Sequence, residues 1–394
     1  MEFRNVIFAI ALSFAVLFGW SVIFENPKIE EQKKLEKSEN LQKDNNNSDV
    51  PSVNLEKEKN LNISRDDAIR SVKRISFENE NVKGSISLKG FLIDDIIFKK
   101  YNTEVNSNEK VKYLNPSETN NGYFVETGWA ASNAAGISLP TKNSLWNVVG
   151  NNKLSVGNPV IAEWNNKSGL IFRKKIELDE KFLFRITQEI QNKSSNVIEL
   201  YPYAQITRNQ KPVLETGSMS GTFILHDGFI GVFDENLKEY DYDDIKDKKE
   251  EHNAENGWLG ITDKFWITAL VPEKNKSFKG EFVHKSDSFK ANYIINKPVE
   301  VKPSSSKTSN TRIFIAAKEV KVIDGYAESE NINKFDLTID WGWLYFLTKP
   351  LFFVINYLFE LTKNFGIAII LVTAAVRLMF FPLANYSFRS MAKM

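Results

Sequence analysis

Arg377 is the residue whose type and position most demand a chemical explanation. It is the single charge in Phe365–Ala384, FGIAIILVTAAVRLMFFPLA. That run is about 20 residues, enough at ~1.5 Å per residue to cross a hydrocarbon core of ~30 Å. The arginine lies about 12 residues in, so ~18 Å from one face and ~12 Å from the other. A charge at that depth costs roughly 2.5–3.5 kcal/mol on the gentlest scale unless water or a partner stabilises it. Either its long stem snorkels toward the nearer head-groups, or the charge is there for use. Thr373, at i−4, places a hydroxyl on the same helix face. A polar strip along one side of a span predicts that this side meets water or other helices, not acyl chains.

The rest of the chain offers little else that reacts. It has no cysteine, which excludes disulfides, thiolate zinc sites, cysteine nucleophiles and lipoprotein acylation. Three histidines, His226, His252 and His284, supply little for a metal site. No P-loop, GxSxG, HExxH or EF-hand loop is present. His226-Asp227 and Glu251-His252 read as surface polar pairs, and Met379 with its neighbouring phenylalanines as packing. No catalytic residue, cofactor or metal is expected. Basic residues number 51 and acidic 50 in 394, so charge makes no case for nucleic-acid binding. A hydrophobic content of 42% with a mean hydropathy of -0.32 describes a mostly soluble chain with a few membrane segments.

The elements that must position Arg377 follow from patterning. Asn5–Phe24, NVIFAIALSFAVLFGWSVIF, is uncharged, exceeds the ~7–15 residues of a signal h-region and lacks a small-x-small cleavage site. Residues 1–24 therefore read as an uncleaved signal-anchor helix. Residues 25–67 are rich in lysine, glutamate and asparagine and read as a solvated tether. From 68 to 336 the pattern changes to short β-branched and aromatic runs, among them Val82–Leu88, Phe91–Phe98, Leu170–Leu178, Phe182–Ile190, Val197–Ile206 and Arg312–Ala316. With turn signals such as Asn121-Gly122 between them and no 3.6-residue periodicity, they predict an antiparallel all-β sandwich of two large sheets. The charged stretch Asp234–Glu255 reads as a surface excursion.

Residues 341–363 are aromatic and aliphatic, but Lys349-Pro350 is expected to break the run, leaving too few uncharged residues to cross. Lys349, Asn356, Glu360 and Lys363 fall on one helical stripe, with Trp341, Trp343 and Tyr345 at the leading end. That pattern predicts an amphipathic helix lying in the membrane interface. A second span occupies 364–384, and 385–394, with Arg389 and Lys393, reads as the start of a basic helix. Those two basic residues predict a cytoplasmic carboxyl end. Two spans then place the amino terminus in the cytoplasm, residues of about 25–363 outside, and Arg377 in the cytoplasmic half of the bilayer. In that setting snorkelling is the weaker reading of Arg377.

The assembled stretches resemble the YidC/Oxa/Alb superfamily of membrane protein insertases. The resemblance rests on the anchor and tether, on GWLGITDKFWITALVP (Gly257–Pro272), on DLTIDWGWLYFLTKPLF (Asp336–Phe352) and on GIAIILVTAAVRLMFFPLANYSFRSMAKM (Gly366–Met394). It implies a bacterial inner-membrane, multi-pass protein whose periplasmic domain is a β-supersandwich similar to sugar mutarotases. It implies that Arg377 matches the family's arginine in a hydrophilic groove that receives membrane-protein clients, with Thr373 lining it. Arg389 to Met394 would begin a cytoplasmic helical hairpin, a region that would contact the ribosome. Nascent membrane-protein clients, the Sec translocon and the lipid bilayer are the partners it implies. The family continues through several more transmembrane helices, so these 394 residues are expected to supply one wall of the groove. The rival readings are a membrane-anchored periplasmic docking module and a sugar-binding or epimerase-like sandwich.

Overall fold

In the computed structural model, residues 63–104, 106–132, 136–212, 226–342 and 344–391 are described. The expected anchor helix and nearly all of the tether lie outside them. The chain divides into two compact units, one within residues 50–340 and one that contains 341–394.

The first unit is a sandwich of two sheets. One has nine antiparallel strands in the order Asn236–Asp241, Gly228–Phe233, Gly257–Thr262, Trp266–Val271, Ser305–Ala317, Leu183–Asn192, Leu170–Leu178, Val160–Asn165 and Asn147–Val149. The other has eleven. Its main path runs Glu250–Ala254, Phe278–Lys285, Ser288–Ile295, Ile198–Arg208, Tyr123–Ala130, Leu92–Asn102, Val82–Ser87, Arg74–Glu78 and Lys153–Leu154. Val299–Val301 and Lys110–Leu114 pair off that path.

Strict alternation makes these strands two-faced. Leu183–Asn192 buries every second residue, and pairs in continuous register with Ser305–Ala317 from Leu183↔Phe314 to Asn192↔Ser305. The sheets meet through aromatic rings: Phe98 stacks on Trp266 at 4.8 Å, and Phe77 meets Phe184 edge-on at 5.2 Å. Gly84 marks a close approach between strands, since a Cβ there would lie 1.9 Å from the Asp95 carbonyl oxygen. Gly84→Ala is therefore expected to cost about 1–3 kcal/mol or more by overpacking. An unchanged urea midpoint for that variant would contradict the packing described.

Short helices close the unit. Helix α1 (Arg65–Arg70) is capped by Ser64, whose hydroxyl accepts from the Asp67 amide, and Arg65 ion-pairs with Asp95. The sequence placed 63–67 in the tether; the cap and the ion pair make them part of the folded unit. Helix α2 (Tyr242–Asp247) corrects a second expectation. Asp234–Glu255 is no surface excursion: it contributes an edge strand to each sheet, and Tyr242, Ile245 and Ala254 enter the core. Helix α3 (Val320–Ser329) buries Ile323 and Tyr326, and the Tyr326 hydroxyl donates to Asp179 at 2.5 Å while accepting from the Phe182 amide.

The other unit contains helices α4 (Tyr345–Thr362) and α5 (Phe365–Met391), which pack on each other. Pro350 lies inside α4 and Pro382 inside α5. Lys349-Pro350 interrupts the uncharged run as expected while the helix continues through it, and α5 runs past Ala384 to Met391 without a break. A proline removes a single N–H, leaving the carbonyl four residues earlier without its intrahelical donor while the other bonds of the helix persist. Among the described residues one segment, Phe365–Pro382, is long and apolar enough to cross a membrane.

Candidate functional site

The turn between α4 and α5 is fixed residue by residue. Lys363 caps α4 in the left-handed conformation, φ 54°, and its N–H donates to the Phe359 carbonyl at 2.7 Å. Asn364 then caps α5, its side-chain oxygen accepting from the Ile367 amide at 3.2 Å. Phe359 and Phe365 meet edge-on across the turn at 5.9 Å.

Around α4 three faces separate. Thr348, Leu351, Phe352, Ile355, Leu358 and Thr362 are half-buried, while Phe346, Phe353, Val354, Tyr357 and Leu361 are exposed. The expected polar stripe runs between these two faces. Asn356 donates to Glu360 at 3.2 Å. The Lys349 ammonium sits 5.5 Å from the Tyr345 ring centroid and 5.8 Å from that of Trp341. Trp343 and Lys393 lie outside the described residues.

Along α5 the buried residues are Ala368 and Val372. At about 100° per residue, Arg377 lies about 180° around the helix from Ala368, and Thr373 about 140°. Both are exposed. The polar strip therefore lies on the side away from the packed face. The Thr373 hydroxyl donates to the Ile369 carbonyl at 2.8 Å. Its lone pairs stay available, so Thr373 offers the strip an acceptor and not a donor. Pro382, one turn beyond Arg377, has no N–H to give the Leu378 carbonyl, which adds a second acceptor beside the charge. Arg389 lies in the last turn of α5, where a cation complements the helix dipole.

The histidines differ from expectation. His252 is no surface side chain: its ring lies 4.6 Å from Phe233, its Nε2 is 3.0 Å from the Tyr240 hydroxyl, and burial pulls its pKa down to about 4. His226 Nε2 donates to the Phe229 carbonyl at 2.9 Å, with Nδ1 3.4 Å from Asp241. His284 packs on Phe289 at 4.5 Å. Each is engaged locally, and among the described residues no group of three or more His, Asp or Glu could hold a metal.

A family model described as the YidC periplasmic domain matches residues 74–354, from the first strand of the sandwich into α4. The chain belongs to the YidC family. The membrane protein insertase YidC of Pelagibacter ubique is 51% identical over 350 residues, covering 89% of this chain and 61% of that protein. The YidC of Methylorubrum extorquens is 38% identical over 347 residues, covering 84% and 55%. The chain thus spans about three fifths of the length of the YidC-family relatives it matches. A galactose mutarotase-like protein from Lactobacillus casei superposes at a TM-score of 0.43 with 9% identity, covering 62% of this chain and 100% of its own. Nothing about chemistry follows from likeness at that level.

The sequence missed one internal site. In Leu170–Leu178 the residues facing the core are Leu170, Phe172, Lys174, Ile176 and Leu178, so a lysine occupies the middle of an apolar face. Its cross-strand partner, Gln188, likewise interrupts Phe184, Ile186 and Ile190. Alternation alone reveals both intrusions.

Proposed function

We propose that this chain belongs to a bacterial inner-membrane insertase, which receives membrane-protein clients along the Arg377–Thr373 face of α5. The placement of that face carries the reading: a cation and a hydroxyl lie on the side of α5 turned away from Ala368, on a span that has no charged partner for Arg377 among the described residues. A charge left on an open helix side in hydrocarbon is costly, so further helices and water complete its surroundings. A client's polar or acidic segment enters this hydrated face and meets the guanidinium, and its apolar segment then partitions into lipid, which supplies the driving force. The sandwich is periplasmic, α4 lies in the interface as a brace, and Arg389 and Lys393 face the cytoplasm, in reach of the ribosome. Docking to the Sec translocon is the second role proposed for the sandwich.

The face is tested by proximity. In a full-length YidC-family protein carrying this segment, a photoreactive residue at Thr373 is expected to crosslink to a ribosome-bound client whose first span has just emerged. The same probe at Ala368 is expected to label the protein's own helices instead. Client crosslinks from Ala368 and none from Thr373 would place the client on the wrong side of α5 and overturn the assignment.

A further inference from the structure

Lys174 is 3% exposed, between the two sheets. Its ammonium makes one hydrogen bond, to the Thr127 carbonyl at 2.5 Å, and lies 4.9 Å from the Trp146 ring centroid and 5.1 Å from that of Phe91. Among the described residues no carboxylate lies within ion-pairing distance of it. Glu126 is held by the Gln205 amide at 2.8 Å, and Arg173 on the adjoining position turns to Glu163 at 2.8 Å. Two hydrogen-bonding groups in the same crevice as the amine are buried without partners, the Trp146 indole N–H and the Thr127 hydroxyl, and so is the amide of Gln188, the cross-strand partner of Lys174. Thr127, Trp146 and Lys174 line one crevice of about 20 Å3, whose lining also includes Lys142, Arg173 and Glu126. It is narrow, with room for little more than one water-sized sphere.

Buried hydrogen-bonding groups are normally satisfied, and a buried cation is normally paired. In the crevice itself the groups with donors to spare are the ammonium, the Trp146 indole N–H and the Thr127 hydroxyl, the last of which can also accept. A water molecule would satisfy some donors but bring no negative charge to an ammonium that Glu126 compensates only from beyond ion-pairing distance. An acceptor that also carries negative charge satisfies both needs. We propose that this crevice binds one small monovalent anion, of halide size, held by the Lys174 ammonium, the Trp146 indole N–H and the Thr127 hydroxyl. Burial, partly opposed by Glu126, pulls the amine's pKa down to about 7, and a bound anion raises it again. The apolar face of Phe172 and the narrowness of the space exclude larger oxyanions. Such an occupant locks the two sheets together where their packing is polar, and stabilises the fold by mass action.

The test uses the full chain in detergent micelles. Thermal unfolding is followed in sodium chloride and in sodium bromide against sodium gluconate at equal ionic strength, together with the 35Cl linewidth. The expected result is a saturable rise in Tm with either halide and an excess linewidth, both lost in Lys174→Met. Trp146→Phe keeps a ring but removes the N–H, and is expected to weaken the apparent affinity about tenfold. Equal Tm in halide and gluconate would overturn the proposal and leave water as the occupant. So would a halide effect that both variants retain in full, which marks an unspecific ion effect.

Discussion

In a full-length YidC-family protein that carries this segment, Arg377→Ala is expected to abolish insertion of clients whose amino-terminal tails are acidic, while Arg377→Lys keeps most of it. The guanidinium sits on the exposed side of a span, beside acceptors from Thr373 and Leu378, with no ion-pair partner among the described residues. On the proposed function its cost, about 2.5–3.5 kcal/mol at the centre of a helix, would be offset where an acidic client segment meets it at depth. Alanine removes the positive charge altogether, so the client tail has to be desolvated without compensation. Lysine keeps the charge but presents a compact ammonium in place of a planar fork, so it attracts a carboxylate without the two-pronged geometry. The measurement is protease protection of the client tail in proteoliposomes, with an uncharged-tail client as control. Unchanged insertion of the acidic-tailed client by the alanine variant would remove Arg377 from the mechanism. Equal loss for both clients would show a folding defect instead.

Most of the sandwich could be read from alternation, because both faces of these strands are specified: Leu170–Leu178 begins and ends where its pattern does. Alternation failed at the edges. Asn236–Asp241 and Glu250–Ala254 carry the charges that keep exposed strand edges from pairing with other chains, and those charges hid Tyr240, Tyr242 and Ile245 inside what looked like a polar loop. Pro350 and Pro382 sit inside helices, because in an apolar helix a break would strand several backbone groups where continuing strands only one. The α1 cap was legible, since Ser64 and Asp67 stand at the spacing of a helix start, but the charge around them favoured a tether. At the candidate site the sequence placed Arg377 and Thr373 on one face. It had no means of showing that the Thr373 hydroxyl is spent on Ile369. Lys174 illustrates the converse, a signal that was present and unused: a cation at the centre of a period-two apolar face is as informative as Arg377 in its span.

Lys174→Met is expected to stabilise the sandwich most at low pH and to lose that advantage as pH rises. Burial pulls the amine from its ordinary 10.5 to about 7, with Glu126 acting the other way. Below about 7 the lysine is protonated in both states, and the full cost of burying its charge is present. Between about 7 and 10.5 the unfolded chain holds the proton and the folded chain does not, so stability rises with pH across that window. The difference corresponds to roughly 5 kcal/mol at most, and the hydrogen bond to Thr127, worth about 1 kcal/mol, is lost in the variant. Methionine keeps an unbranched side chain of similar length against Phe91 and Trp146 and needs no counter-charge, and replacing a buried charge by a packed apolar group is often stabilising. In gluconate, urea midpoints followed by near-ultraviolet circular dichroism should therefore place the variant about 2–4 kcal/mol above the parent at pH 6 and level with or below it by pH 10.5. Adding chloride should narrow the gap at pH 6, because a bound anion stabilises the parent alone. Parallel pH profiles for the two proteins would mean that Lys174 keeps its ordinary affinity for a proton, and that water reaches it.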